Sequence, residues 1–195
     1  ETESFLNNSI GKDFNIQSVE KKPATKKPSA PFTTSTLQQE ASLKLGFSVS
    51  RTMSVAQRLY ESGHITYMRT DGIDMAPEAI TAARDLIRSK YGDQFVPKTP
   101  KIYKNKTKNA QEAHECIRPT ELAVDKNKLS HLEQDQIKLY DLIWKRTIAS
   151  QMSSAKMERT TIEIFSSDEQ VGLRSTGQVV RFEGFLKVYE EGKDE

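Results

Sequence analysis

The spacing of apolar side chains changes twice along this chain. From Glu1 to Val19 the sequence is polar, with Phe14 and Ile16 alternating as in a short strand. From Ser35 to Ile148 apolar positions recur at helical spacing. Ser35 with Gln38 forms a capping-box pattern, and Gly46 can close that helix. A second helix is predicted to start at Ser50 or Thr52, to bury Met53, Ala56, Leu59 and Tyr60, and to stop at Gly63. Together they read as a helix-turn-helix pair. Pro77 suits the first turn of a third helix, whose stripe is Ile80, Ala83, Ile87 and Tyr91 before Gly92. A lysine-rich stretch with Pro97 and Pro100 reads as loop, and Gln111 to Arg118 as a short helical or turn segment stopped by Pro119. Ser130 with Glu133 predicts the cap of the strongest helix, which turns Ile137, Tyr140, Trp144 and Ile148 inward. Beyond Ser154 the period falls to two. Thr160 to Phe165 and Val171 to Phe182 read as strands around a turn, and Phe185 to Tyr189 carries the same signal.

Strand signal at both ends of a helical middle predicts a multi-domain α and β protein. Its mainly helical domain, with helix-turn-helix-like elements, is inserted into a partial antiparallel β domain. The first boundary is a stiff basic connector, Glu20 to Pro31, with three prolines and four lysines. The expected domains are residues 27–154, helical, and a discontinuous β domain made of 1–26 and 155–195.

Composition narrows this picture without naming a function. The 195 residues are 35% hydrophobic and 29% charged, with a net charge of +2, so clustering of charge matters more than its sum. The single cysteine, Cys116, excludes an intrachain disulfide and a multi-cysteine zinc site. No apolar run is long enough for a transmembrane helix, and no signal peptide leads the polar start. A cytoplasmic protein with no membrane partner is expected. Because the chain opens on Glu1, it is expected to be part of something larger or a trimmed piece.

Candidate chemistry concentrates in two segments. In Ile65-Thr66-Tyr67-Met68-Arg69-Thr70-Asp71-Gly72, an extended backbone would turn Tyr67, Arg69 and Asp71 to one side. A free phenol is a poor nucleophile, since reaching the phenolate at pH 7 from a reference pKa of about 10 costs on the order of 4 kcal/mol. A guanidinium two residues away offsets part of this, grips a phosphate bidentately and stabilises transition-state charge. A tyrosine near Arg and Asp is also a common surface feature, and that plain reading stays open. The second segment is Gln111-Glu112-Ala113-His114-Glu115-Cys116-Ile117-Arg118-Pro119-Thr120. His114 can donate a proton or bind phosphate, with Glu112 or Glu115 setting its charge, and Arg118 is a further phosphate candidate. A satisfied structural histidine is the alternative. One histidine without a second at i+4 does not make a zinc pattern.

These residues carry a resemblance. The chain resembles the central part of bacterial type IA DNA topoisomerase, the topoisomerase I branch. The similarity runs through Pro31 to Gln39, Met53 to Glu61, Ile65 to Asp71, Ala110 to Thr120, Leu139 to Trp144 and Arg181 to Phe185. Met68 favours the topoisomerase I branch over the topoisomerase III branch, which typically has proline there, and Gly72 stands where several relatives have serine. The resemblance implies that Tyr67 attacks a phosphodiester of single-stranded DNA, forming a 5′-phosphotyrosine and releasing a 3′-hydroxyl, so that religation requires no ATP. It implies that Arg69 positions the scissile phosphate, that His114 assists near the cleavage site and that Asp71 supports religation and site geometry. Thr66, Thr70, Glu115 and Arg118 follow as supporting or DNA-contacting candidates. It also implies Mg²⁺, held in a Toprim domain with an Asp-x-Asp motif that this chain lacks. The metal site is therefore expected outside the chain, and the isolated chain is expected to be inactive. In the family the tyrosine domain swings on the β domain, which makes the connectors near Lys27 and Ser154 expected hinge points. The expected partners are single-stranded or negatively supercoiled DNA and the remaining domains of the parent, which is expected to be monomeric and nucleoid-associated.

Two other readings compete. A non-catalytic helix-turn-helix DNA-binding module fits the paired helices and basic connector, but leaves the Tyr67 and His114 segments unexplained. An interaction domain without a nucleic-acid partner fits the near-neutral charge.

Overall fold

The computed structural model describes residues 2–103 and 115–190. It divides into two compact units. One comprises Glu1–Lys26 with Ala155–Glu183, the other Lys27–Ser154 with Gly184–Glu195.

The smaller unit begins with helix α1 (Thr2–Ser9), which buries none of its residues. It continues into a three-stranded antiparallel sheet in the order β1 (Phe14–Lys26), β2 (Ala155–Ser166), β3 (Gly172–Phe182). Strand β1 is longer than the alternation of Phe14 and Ile16 suggested. It runs through Pro23 and takes up most of the expected connector, pairing Lys21 with Thr160 and Lys26 with Ala155. Proline is tolerated there because β1 is an edge strand. The register slips between Ile16 and Ser18, a bulge in the same edge. Cross-strand ion pairs join Arg174 to Glu163 at 2.6 Å and Arg181 to Glu158 at 2.9 Å. Exposed pairs of this kind each contribute less than about 1 kcal/mol.

The larger unit is built on α2 (Thr34–Leu45), α3 (Val49–Glu61), α4 (Pro77–Tyr91) and α5 (Gln134–Ser150). Gly46 ends α2 at φ +65°, as its place in the sequence predicts, and Pro77 opens α4. The cap positions shift from those expected. Thr33 and Thr36 form the capping box of α2 instead of Ser35 and Gln38, and Ser48 caps α3 instead of Ser50 or Thr52. Glu133 with Gln136 caps α5, three residues later than the Ser130 pattern. The second half of α5 is buried on almost all sides, from Leu142 to Ser150 except Lys145. Even Arg146 is only 7% exposed. Its guanidinium stacks on the ring of Phe32 at 4.9 Å, and its Nε donates to the Ala30 carbonyl at 2.6 Å. Phe32, Leu37, Leu59, Ile65, Met68, Ile117, Leu139 and Ile143 complete this core.

Two elements differ in kind from the sequence expectation. Phe185 to Tyr189 is not a strand. Gly184–Lys187 forms a 3-10 turn, and the chain from Gly184 onward groups with the helices and not with the sheet. Phe185 and Tyr189 lie four residues apart and are both buried there, with the Phe185 amide on the Ser153 carbonyl and the Tyr189 hydroxyl 2.5 Å from Glu40. Gly184, at φ +53°, makes the entry possible, because a Cβ would collide with the Ser153 and Ser154 carbonyls. Glu115 to Arg118 is likewise extended and not helical, as three isolated bridges hold this stretch against other loops.

Candidate active site

The Tyr67 segment is held by two stretches distant in sequence, Thr34 and Cys116 to Pro119, and no regular strand forms there. The turn at Gly63 (φ +78°) ends α3 and directs the chain inward. Ile65 then bridges antiparallel to Pro119, and the Thr66 amide donates to the Arg118 carbonyl at 2.9 Å. The Thr66 hydroxyl donates to Cys116 O at 2.7 Å and accepts from the Arg118 amide at 3.0 Å. On the other side, Thr34 at the start of α2 holds the segment with its backbone and side chain. Its amide donates to Thr70 O at 2.9 Å, its hydroxyl donates to Met68 O at 2.8 Å, and the Thr70 amide donates back to that hydroxyl at 2.8 Å.

The consequence is an alternation without a strand. From Tyr67 to Gly72, exposed and buried residues alternate: Tyr67, Arg69 and Asp71 out, Met68, Thr70 and Gly72 in. All three are exposed, but bends at Met68 and Arg69 stand in place of the extended backbone expected from the sequence. Tyr67 is 47% exposed, and its hydroxyl has no hydrogen-bond partner among the described residues. Arg69 is exposed as well, and among the described residues its guanidinium makes no ion pair or hydrogen bond. A side chain of Tyr60, on the last turn of α3, meets the Tyr67 ring edge to face at 5.3 Å.

The second segment supplies scaffold. Glu115 Oε1 accepts from the Arg118 Nε at 2.5 Å and from the Ala76 amide at 3.0 Å, which ties the segment to the start of α4. Arg118 is 13% exposed and donates a second bond to Pro119 O at 2.9 Å, so its fork is engaged within the protein. Thr66 and Thr70 also spend their hydroxyls internally, Thr70 on the Gly72 amide at 2.9 Å. Cys116 is fully buried. Burial pushes its thiol up to about 12, Glu115 adds to the rise, and Arg118 opposes it. His114 lies outside the described residues. Its neighbour Glu115 bridges Asp74, so the chain enters this segment three residues after Asp71 in space as well as across from Thr66. Sequence reading missed Thr34 and expected Tyr60 to be buried, whereas it is 40% exposed beside Tyr67. The repeated hydroxyls of Thr33-Thr34-Ser35-Thr36 were the available signal, since a helix cap needs only two of them.

A family model described as DNA topoisomerase matches residues 1–195, the whole chain. The chain belongs to the bacterial DNA topoisomerase family. DNA topoisomerase 1 of Zymomonas mobilis is 55% identical over 182 residues, covering 93% of this chain and 15% of the relative. DNA topoisomerase 1 of Mycolicibacterium smegmatis is 50% identical over 190 residues, covering 95% of this chain and 20% of the relative. The solved structure of full-length topoisomerase I from Thermotoga maritima superimposes with a TM-score of 0.82 at 35% identity, over 100% of this chain and 33% of that one. The resemblance read from the Tyr67 and Glu115 segments, that of a type IA topoisomerase, therefore stands, as does the mixed α and β fold. The chain spans between about a seventh and a third of the length of these topoisomerases. No helix among the described residues is long and apolar enough to cross a membrane.

Proposed function

We propose that this chain carries the nucleophilic half of a type IA topoisomerase active site, in which Tyr67 cleaves and reseals one DNA strand. The observation that carries this is an exposed phenol two residues from an exposed guanidinium, both free of hydrogen bonds and ion pairs among the described residues. A surface arginine ordinarily finds a carboxylate or carbonyl. Among the described residues Arg51 and Arg88 do, and Arg69 does not.

In the proposed step the Tyr67 oxygen attacks phosphorus. The bond from phosphorus to the 3′ oxygen breaks, the phenolic proton departs, and the leaving oxygen takes up a proton to become a 3′-hydroxyl. Arg69 holds the phosphate and offsets charge on its equatorial oxygens. Religation reverses each of these changes, so no external energy source is consumed. Asp71 shares the exposed side, and His114 is proposed to assist from the segment next to Glu115. Among the described residues no three His, Cys, Asp or Glu side chains converge to hold a metal ion, and the metal of the intact enzyme is proposed to be Mg²⁺. Its site is proposed to lie in another domain of the parent. The substrate is proposed to be single-stranded DNA or the unpaired regions of negatively supercoiled DNA, acted on by a monomer in the cytoplasm.

The polarity of the adduct tests this. A 5′-phosphotyrosine retains the downstream piece of DNA. With the intact parent, label at the 3′ end of an oligonucleotide should stay with the denatured protein and label at the 5′ end should not. The reverse pattern would refute the proposed chemistry.

A further inference from the structure

Behind the Gly63 turn lies a second feature, separate from the exposed Tyr67 side chain. A cavity of about 350 Å³ opens between the turn, the loop around Glu121 to Leu129 and the body of α5. His64 and His131 face each other across it, ring centroids 6.1 Å apart, and His64 stands edge-on to Tyr140 at 6.3 Å. The two residues are 67 positions apart in sequence, so the fold alone brings these imidazoles together. Neither ring has a hydrogen-bond or ion-pair partner among the described residues. Lys128 also lines the cavity, its Nζ 2.9 Å from the Ala123 carbonyl.

We propose that this cavity is a phosphate-binding pocket in which His64, His131 and Lys128 receive one phosphate group. Lys128 and Glu121 cancel, Asp125 is paired with Lys90 at 3.4 Å, and burial raises the Tyr140 phenol further out of reach, its hydroxyl 2.6 Å from the Val124 carbonyl. Each imidazole carries a ring N–H donor that meets no acceptor among the described residues, which is what an anion requires. A bound cation fits less well, because among the described residues no group of three potential ligands converges.

The pocket shares its wall with the site. Thr120 donates from its hydroxyl to Gly63 O at 2.6 Å and from its amide to His64 O at 3.1 Å, and Gly63 to Ile65 is the chain that leads to Tyr67. A DNA strand laid across Tyr67 and a free phosphate are both sources of the group. The inference rests on the proposed DNA function only for the first source.

The test is histidine NMR on the chain itself, titrated separately with inorganic phosphate, a short thymidine oligonucleotide and Zn²⁺. Both imidazole signals should move with phosphate along one binding curve. His131→Gln, at an exposed position, should weaken that binding by about fivefold or more while the remaining spectrum keeps its dispersion. Movement with the oligonucleotide as well assigns the pocket to a DNA phosphate, and movement with phosphate alone assigns it to a free anion. Signals that respond only to Zn²⁺, or to nothing, overturn the proposal. An oligonucleotide that binds the chain and His131→Gln equally with both imidazoles unmoved excludes DNA as the source of the phosphate. That last result would leave the DNA function standing, whereas a phosphate response without any oligonucleotide binding would do the opposite.

Discussion

The hydroxyl of Thr34 lies 2.8 Å from the Met68 carbonyl and accepts the Thr70 amide at the same distance, so one side chain at the start of α2 fixes the backbone on both sides of Arg69. Replacing it by valine keeps the shape and leaves a buried amide and carbonyl short of partners. We expect Thr34→Val to destabilise the chain by about 1–3 kcal/mol. Urea denaturation measures this. In the intact parent the same change should lower DNA cleavage more than DNA binding, because it disturbs the positioning of Arg69 without removing a charge.

Arg69 itself should behave in the opposite way. It is exposed and, among the described residues, unpaired, so Arg69→Ala should shift stability by no more than about 0.5 kcal/mol. Cleavage by the parent should nonetheless fall by about a hundredfold or more, the scale seen when one charge-stabilising donor is removed. A thermal melt and a cleavage assay on the same variant separate the two effects. Arg69→Lys should restore only part of the loss, since an ammonium lacks the planar fork.

Glu115 should be structural. Its carboxylate holds both the Arg118 guanidinium and the Ala76 amide. Glu115→Ala leaves a largely buried cation unpaired and should cost about 3 kcal/mol or more. Chemical denaturation checks this. The double change Glu115→Ala with Arg118→Met should recover much of the loss.

Cys116 should be inert in the folded chain. Its thiol is fully buried and held up at about 12, so it stays protonated at pH 8. Alkylation at pH 8 should proceed only as fast as the chain unfolds. The folded value lies above the ordinary thiol value of 9.0, so the linked stability is fully present below pH 9 and is lost as pH rises from there through about 12. Rapid labelling of native protein would contradict this placement.

The chain alone, supplied with Mg²⁺, should not relax a negatively supercoiled plasmid. Relaxation by the isolated chain would show that it holds a complete site.

How far the sequence carried can be judged residue by residue. Gly46 and Pro77 were legible because each acts through its own backbone: one takes positive φ, the other lacks an amide and suits a first turn. The burial of Met68 and Thr70 between Tyr67, Arg69 and Asp71 was legible as alternation. What holds that alternation in place was not, since Thr34 and Cys116 to Pro119 come from distant parts of the chain. Phe185 to Tyr189 misled because its apolar spacing also satisfies i, i+4, and only the positive φ of Gly184 and the pocket for Tyr189 decide between the two. Arg146 was invisible as a core residue, because its burial depends on stacking against Phe32 from another segment. The unpaired state of Arg69 could not be read from sequence either, as it depends on where every carboxylate lies.

The central claim is that Tyr67 forms the bond to DNA. It is tested most directly by trapping the covalent adduct of the intact parent with a single-stranded oligonucleotide, for the wild type and for Tyr67→Phe. The phenylalanine variant should bind the oligonucleotide within about threefold of wild type, since it loses one hydroxyl and no phosphate-binding charge, and should give no adduct. A covalent adduct retained by Tyr67→Phe would contradict the account.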